Sequence, residues 1–473
     1  MDTECTDEQI DFQPLSGRQV TGQFNGGRIT SDAGVVQLRE LEEQFGLIER
    51  LAECFEDHRE QEHIEHSLEE LLRQRIFGLI LGYEDLNDHD SLRRDPAIAA
   101  ACGKDEPDGR DRRQDEDKGK PLAASATLNR LELGTEEGGP EQRYKRIEPK
   151  PTKIEEVLVD FWLEMLDRRY EDGPTCLVLD ADASDIPLHG DQEGRHYHAY
   201  YDGYCYLPFY VFQGEWLLSA FVRSSDCSAA GDCQPSLEVV VDALQERFPE
   251  CRIILRGDSD FSTPEMMQWC EDWKIEYVFG LRQNSRLNGR IEDDMETVKR
   301  LAEQGDGSAR DFVDFEYATV DSWKHKRRVV AKVEWSDGEA NPRYVVTSLE
   351  GSESDPETVY CEDYCGRGEA ENRIKELQQP LFGTRMSTRA MSSNQLRTYF
   401  SSIAYLFICL FRQIALEGTY WAGLQAESIR ETFLKIGALV QISTRRVWLK
   451  MASGYPDQEA FGMVTEKIQS HAR

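Results

Sequence analysis

Apolar positions along the chain fall into two textures. Up to about residue 170 they recur at helical spacing. Gly26-Gly27 leads to Ser31-Asp32, which reads as a helix cap, and then to Val35, Val36, Leu38, Leu41 and Phe45. A second set runs Leu68, Leu71, Leu72, Ile76, Leu79 and Ile80, and a short loop or hairpin precedes both. From Thr175 strand signals take over in Cys176–Asp182, Tyr204–Phe212 and Trp216–Val222. Helical spacing over Pro235–Phe248 then leads to the strand Arg252–Leu255, a helix at Pro264–Trp273 and the strand Glu276–Gly280. That order predicts a mixed α/β fold around one central sheet. Alternating segments at Phe312–Val320, Arg328–Val333 and Tyr344–Thr347 predict a β-rich insertion, and most of the chain after Glu362 reads as helical. The pattern divides the chain into a mainly helical region 1–170, an α/β core 171–284, a β-rich insertion 285–360, a core-completing segment 361–416 and a helical C-terminal region 417–473.

Composition narrows the class. With 39% hydrophobic and 10% aromatic residues among 473, the chain can bury several cores. The apolar stretch Thr398–Phe411 covers 14 residues, less than a bilayer requires, so it reads as a buried helix of a soluble protein. No basic segment followed by an apolar one opens the chain, and the 12 cysteines form no Cys-x-x-Cys pair. Both features predict a cytoplasmic protein with reduced thiols and no membrane partner. Lys104–Lys120, nearly all charge, Gly and Pro, reads as an exposed excursion.

The net charge of −34, from 89 acidic against 55 basic residues, argues at first against a polyanionic partner. The basic residues are 40 Arg and 15 Lys, and an acidic, Lys-poor surface suits a salty cytoplasm. There the short Debye length makes an acidic coat cheap, and local basic clusters decide what binds.

Three acidic places carry candidate chemistry. Asp180 and Asp182 end an apolar strand and share one face of it, and Asp258-Ser259-Asp260 follows another such strand. Carboxylates after strands also serve as turn formers. Two such clusters at one sheet edge suit a hard cation such as Mg²⁺. In the third place Tyr364, Arg367, Glu371 and Lys375 step by three and four along a helix, an arrangement equally compatible with a solvated Glu–Lys pair. Basic clusters with aromatic neighbours occur at Trp323-Lys324-His325-Lys326-Arg327-Arg328, at Arg385, Arg389 and Arg397, and around Arg445, Arg446, Trp448 and Lys450. Cys54, His58, His63 and His66 are close in sequence, but the Glu and Gln between them favour an exposed helix over a zinc site. His189, His196 and His198 flank the first acidic cluster and read mainly as packing residues.

In this order the pieces resemble the DDE transposases of prokaryotic insertion sequences, and more narrowly the group-1 DDE domain family. The resemblance rests on Asp180–Gly190, Tyr206-Leu207-Pro208, Arg256–Ser259 and Arg367–Asn372, with Gly27–Gly34 and Gly82–Asp88 in the N-terminal region. It implies an RNase H-like core with the first acid on the first strand, the second just after the fourth strand and a Glu on a later helix. Carried over, the triad is Asp182, Asp258 and Glu371. Asp182 is preferred because the related pattern is Asp-x-(Ser/Thr), and Asp180 stands as the alternative first ligand. The family's Lys, seven residues after the Glu, is replaced by Gln378, leaving Lys375 or Arg373 to contact phosphate. Asp260 stands where Gly is expected.

The resemblance further implies two Mg²⁺ ions, with Mn²⁺ as a substitute, held by the triad. Its implied partners are double-stranded DNA at the element's terminal inverted repeats and in the target, bound by a homodimer. Region 1–170 would serve DNA binding or oligomerisation, and the bound protein would sit on the nucleoid. Tyr364, Arg367, Arg373, Lys375, Trp323, Lys324, Lys326, Arg327, Arg328, Arg445 and Arg446 are the expected DNA contacts, and Trp323 and Trp335 the candidates to stack on a flipped base. The expected reaction is cut-and-paste cleavage and strand transfer. A metal-dependent nuclease without strand transfer and a catalytically silent repeat-binding protein are the alternatives.

Overall fold

The structure, a computed structural model, describes residues 9–133, 146–227, 230 and 232–471. It divides into two compact units, one of residues 1–154, 376–385 and 392–473, the other of residues 155–375 and 386–391.

The first unit opens with an exposed hairpin, β1 (Ile10–Leu15) and β2 (Arg18–Gly22), followed by β3 (Ile29–Thr30). The helix Val35–Phe45 buries Val35, Leu38, Leu41 and Phe45, the stripe that the spacing predicts. Its cap differs from expectation. Gly34, not Ser31-Asp32, precedes the first turn, because the Asp32 carboxylate is taken by Lys435 at 2.7 Å and the Tyr83 hydroxyl at 2.8 Å. The helix Leu68–Ile80 is closed by a reciprocal capping box between Ser67 and Glu70.

Cys54–His66 is not the exposed helix expected. Cys54 is buried, β4 (Phe55–Asp57) pairs antiparallel with β5 (Ile147–Pro149), and buried His66 lies against Arg112. The charged run Lys104–Lys120 is not a loose excursion either. Lys104 bonds Glu70 at 2.6 Å, Arg112 reaches Glu65 and Asp117, and Asp117 is bonded by Arg93 at 2.9 Å, so its charges are cross-linked to helices beneath.

The second unit holds the main sheet. Its strands are β6 (Cys176–Ala183), β10 (Phe209–Gln213), β11 (Trp216–Phe221), β12 (Arg252–Gly257) and β13 (Glu276–Leu281). Between β6 and β10 a small separate sheet forms from β7 (Ile186–Pro187), β8 (His196–His198) and β9 (Gly203–Tyr206). Beyond β13 come β14 (Ala309–Tyr317), β15 (Arg327–Ser336), β16 (Glu339–Ala340) and β17 (Arg343–Thr347). The spatial order is β11-β10-β6-β12-β13-β17-β15-β14, with β16 on β15. β10 and β11 run as antiparallel hairpin partners beside β6, while β12 and β13 run parallel to it after helical crossovers. The fold is therefore RNase H-like, with β6 as first strand and β12 as fourth.

Residues 285–360 carry β14 to β17 together with two helices that the sequence pattern does not show. They begin with the helices Ser285–Arg290 and Glu292–Gln304, and their strands prolong the main sheet because β17 takes the edge that β13 would otherwise leave unpaired.

The remainder of the chain is split between the units rather than forming one core-completing segment. A helix runs Met391–Leu410, all but its first residue in the first unit, and continues as a π-helical segment to Leu416. These 26 residues, longer than the predicted stretch, have a mean hydropathy of 1.5 over their most apolar window, but 94% of that window is buried in the protein, as in a core helix. Region 417–473 is not wholly helical, since β18 (Ala438–Ser443) and β19 (Arg446–Met451) form a hairpin whose base pairs with β3. Along β19 Val447, Leu449 and Met451 share one face and Arg446, Trp448 and Lys450 the other, the latter cross-strand from Ser443, Gln441 and Leu439.

Glu132 is fully buried in the first unit and accepts from Arg75 Nε at 2.6 Å and Arg397 Nε at 2.7 Å. Removing one carboxylate would strand two buried guanidinium groups. Glu132→Leu is expected to cost about 3–5 kcal/mol in urea unfolding, and a loss below about 1 kcal/mol would refute that role.

Candidate active site

The site begins with a register. In the parallel pair β6–β12, Asp180 lies opposite Arg256, and the same offset carried two residues further brings Asp258 level with Asp182 at the carboxyl ends of neighbouring strands. Asp180 is already occupied. Arg256 bonds it through Nε at 2.6 Å and Nη2 at 2.7 Å, while its Nη1 donates to the Asp363 carbonyl at 2.9 Å. Asp182 instead accepts from its neighbour's Ala183 amide at 2.9 Å and from Arg367 Nη1 at 3.1 Å.

Glu371 joins through the same guanidinium, with Arg367 Nη2 at 3.5 Å from Glu371 Oε1. The expected single helix is wound in three parts, a π-helical turn Val359–Tyr364, a 3₁₀ turn Cys365–Arg367 and the α-helix Gly368–Gln378. Arg367 and Glu371 still face each other across that change. Arg367 Nε is buried without a hydrogen-bond partner, and the guanidinium lies 5.8 Å from the Tyr364 ring centroid.

The electrostatics are those of carboxylates short of cations. Burial pushes the Asp182 carboxyl up to about 6, Arg367 opposes the shift, and the charges of Asp258 and Glu371 add to it. Burial also raises Asp258. Asp260, the unexpected acid, donates its amide to Asp258 Oδ1 at 2.8 Å, and its own carboxylate pairs with Arg282. Asp182, Asp258 and Glu371 offer carboxylate oxygens, the donor type that hard divalent cations such as Mg²⁺ take, but among the described residues the group with donor atoms all within 4.8 Å of one another is Glu56, His58 and Glu148 rather than these three.

Several contributors were not visible in the sequence. A β-carbon on Gly280 would lie 2.6 Å from the Tyr364 hydroxyl and 2.9 Å from the Ser259 amide, so this glycine on β13 lets the Asp258 turn and Tyr364 close in. Gly366 gives Arg256 the same freedom. Tyr201, in the turn between β8 and β9, has its hydroxyl held up to about 12, first by burial and then by Asp185, with a contribution from Asp182. No repeated spacing announces these positions.

The expected DNA contacts separate sharply. Lys375 is exposed beyond Glu371, whereas Arg373 is tied to Glu215 at 3.0 Å. Lys324 and Lys326 are exposed, but Trp323 is buried against Tyr317 and Arg327, and Arg327 is held by Glu271 at 2.7 Å. Trp323 is thus a core residue rather than a stacking surface, and Lys299 covers Trp335 at 4.8 Å. Arg328 bonds Asp314 at 2.7 Å. Arg385 and Arg397 have carboxylate partners, Arg389 is exposed, and Arg445 and Arg446 are exposed at the β18–β19 hairpin. His189 and His196 are exposed, and His198 packs on Tyr201.

No zinc site forms from Cys54, His58, His63 and His66. Cys54 Sγ donates to a carbonyl in its own helix, burial lowers His66 to about 2, and His63 faces Glu60. Glu56, His58 and Glu148 do bring donor atoms within 4.8 Å, but Lys150 sits between the two glutamates at 3.3 and 3.1 Å and supplies their cation.

An RNase H-like sheet with Asp182 and Asp258 following neighbouring strands and Glu371 on a later helix is an arrangement suited to nucleic-acid phosphoryl transfer. The chain belongs to the family of transposase DDE domains, group 1, whose family model matches residues 12–473. No curated protein matches it.

Because the folded protein holds a proton on Asp182 that the unfolded chain releases near its ordinary value of 3.8, the contribution of Asp182 to metal-free stability falls as pH rises from about 4 to 6. Asp182→Asn is therefore expected to match wild type below about pH 4 and to exceed it by about 3 kcal/mol above pH 6, read by urea unfolding. Added Mg²⁺ narrows the gap, and a gap independent of pH would refute the assignment. Gly280→Ala is expected to lower turnover by about 10²-fold by displacing Tyr364 and the Asp258 turn. Unchanged turnover would show that the close approach is dispensable.

Proposed function

We propose that the chain is an insertion-sequence transposase that cuts DNA at the ends of its element and joins the freed 3′ ends to target DNA. The observation that carries this reading is the β6–β12 register, in which Asp180 pairs with Arg256 and Asp182 and Asp258 each follow two residues on, while Arg367 bonds Asp182 and lies 3.5 Å from Glu371.

Asp182, Asp258 and Glu371 would hold two divalent cations, Mg²⁺ or in substitution Mn²⁺. When bound, these supply charge neutralisation at the scissile phosphate and activation of the attacking oxygen. The chain's own residues do the rest. Arg256 locks Asp180 and so fixes the end of β6, which makes Asp180 a positioning residue and Asp182 the first ligand. Arg367 keeps the carboxylates of Asp182 and Glu371 converged. Tyr364 braces that guanidinium, and Lys375 stands beyond Glu371 for the DNA backbone. A homodimer pairing two element ends, working on the chromosome in the cytoplasm, suits two-ended cutting.

The test is cleavage and strand transfer on a duplex carrying the element's end, with Mg²⁺ at high salt. Wild type should cut and join, Glu371→Gln should bind but do neither, and Asp180→Asn should retain activity reduced about 10–100-fold, as for a residue supporting a ligand. Binding without either reaction in wild type would overturn the catalytic reading, and cutting without joining would leave a nuclease.

A further inference from the structure

The β18–β19 hairpin stands out from the first unit. Only its base is paired on the far side of β18, where Ala438 and Leu439 meet Thr30 and Ile29 of β3. From Gln441 to Trp448 every residue except half-buried Ile442 is exposed. The side chains divide by alternation. Ala438 with Met451 and Val440 with Leu449 are cross-strand pairs turned to the core, where Leu449 and Met451 pack with Ala33 and Ile436. The opposite face carries the pairs Leu439–Lys450, Gln441–Trp448 and Ser443–Arg446. Trp448 is 50% exposed, with the Arg446 guanidinium 5.5 Å from its ring centroid.

Charge sets this hairpin apart. The chain carries 89 acidic residues in 473, yet none lies between Glu431 and Asp457. Among the described residues Arg445, Arg446 and Lys450 make no ion pair, whereas Arg327, Arg328, Arg373, Arg385 and Arg397 each have a carboxylate partner. An exposed cationic two-stranded ribbon is narrow enough to enter the major groove, which is about 12 Å wide.

We propose that this ribbon docks in the major groove of the element's own terminal repeat. Arg445, Arg446 and Lys450 meet phosphates, and Gln441 and Trp448 meet base edges. The repeat is favoured over target DNA because an exposed glutamine beside an exposed tryptophan suits base reading, which backbone contact alone does not need. This deepens the transposase reading and rests on it.

The test measures binding by fluorescence anisotropy across a salt series, using the full chain, a duplex from the element's boundary and a scrambled duplex of equal length. For Arg445→Gln/Arg446→Gln/Lys450→Gln, the slope of log affinity against log salt should flatten by about 2 to 3, and by about 1 for Lys450→Gln alone. Trp448→Ala and Gln441→Ala should each weaken the boundary duplex about 10-fold and the scrambled one less than about 2-fold. Wild-type slope and affinity in the charge variants would overturn the proposal. Equal losses on both duplexes in Trp448→Ala and Gln441→Ala would overturn the assignment to the repeat. Loss of cleavage chemistry in wild type with these binding changes intact would overturn the catalytic reading and leave the ribbon standing.

Discussion

The arrangement of the candidate site depends on one bidentate ion pair, Arg256 on Asp180. Parallel strands have no hairpin to set their register, so β6 and β12 are aligned by side chains and by the core beneath them. Arg256 fixes that alignment from one strand to the other and, through the Asp363 carbonyl, reaches the segment that leads into the glutamate helix. A single guanidinium thus coordinates the three pieces of chain that carry the acids. Its burial makes the arrangement costly to disturb, because either partner left alone would keep an uncompensated charge.

A second arginine repeats the principle closer to the chemistry. Arg367 links Asp182 and Glu371 and rests on Tyr364, whose approach depends on Gly280 in β13. The site is therefore built outward from sheet to turn to helix, with cations of the chain holding carboxylates together. The same economy shows in the first unit, where Glu132 gathers Arg75 and Arg397 from distant helices. In a chain with a net charge of −34, buried arginines are spent on internal order. The exposed cations that remain, such as those on β19, are correspondingly informative.

Much of this was legible in the sequence. Helical spacing located Val35–Phe45 and Leu68–Ile80, and apolar runs ending in Asp located β6 and β12, because local periodicity and burial act on neighbouring residues. What stayed hidden depends on partners far along the chain. Trp323 and Arg327 looked like a DNA contact until Glu271 and Tyr317 were seen beside them, and Lys104–Lys120 looked loose until its charges found Glu65, Glu70 and Arg93. Spacing does not choose between Asp180 and Asp182, since both lie on one strand face, and it is Arg256 on the one and Arg367 on the other that distinguish their surroundings. The β18–β19 hairpin is hidden for another reason, since Val447, Trp448 and Leu449 form a short apolar run between helical stretches that fits either periodicity.

The π-helical turn Val359–Tyr364 has one further implication. Such a turn behaves as one residue inserted into an α-helix, and each residue added or removed swings everything beyond it about 100° around the axis. The bearing of Glu371 is therefore a matter of phase, set several residues upstream of the acid itself. A stretch of any other length would form just as good a helix and would turn the Glu371 carboxylate away from the Arg367 guanidinium that now meets it.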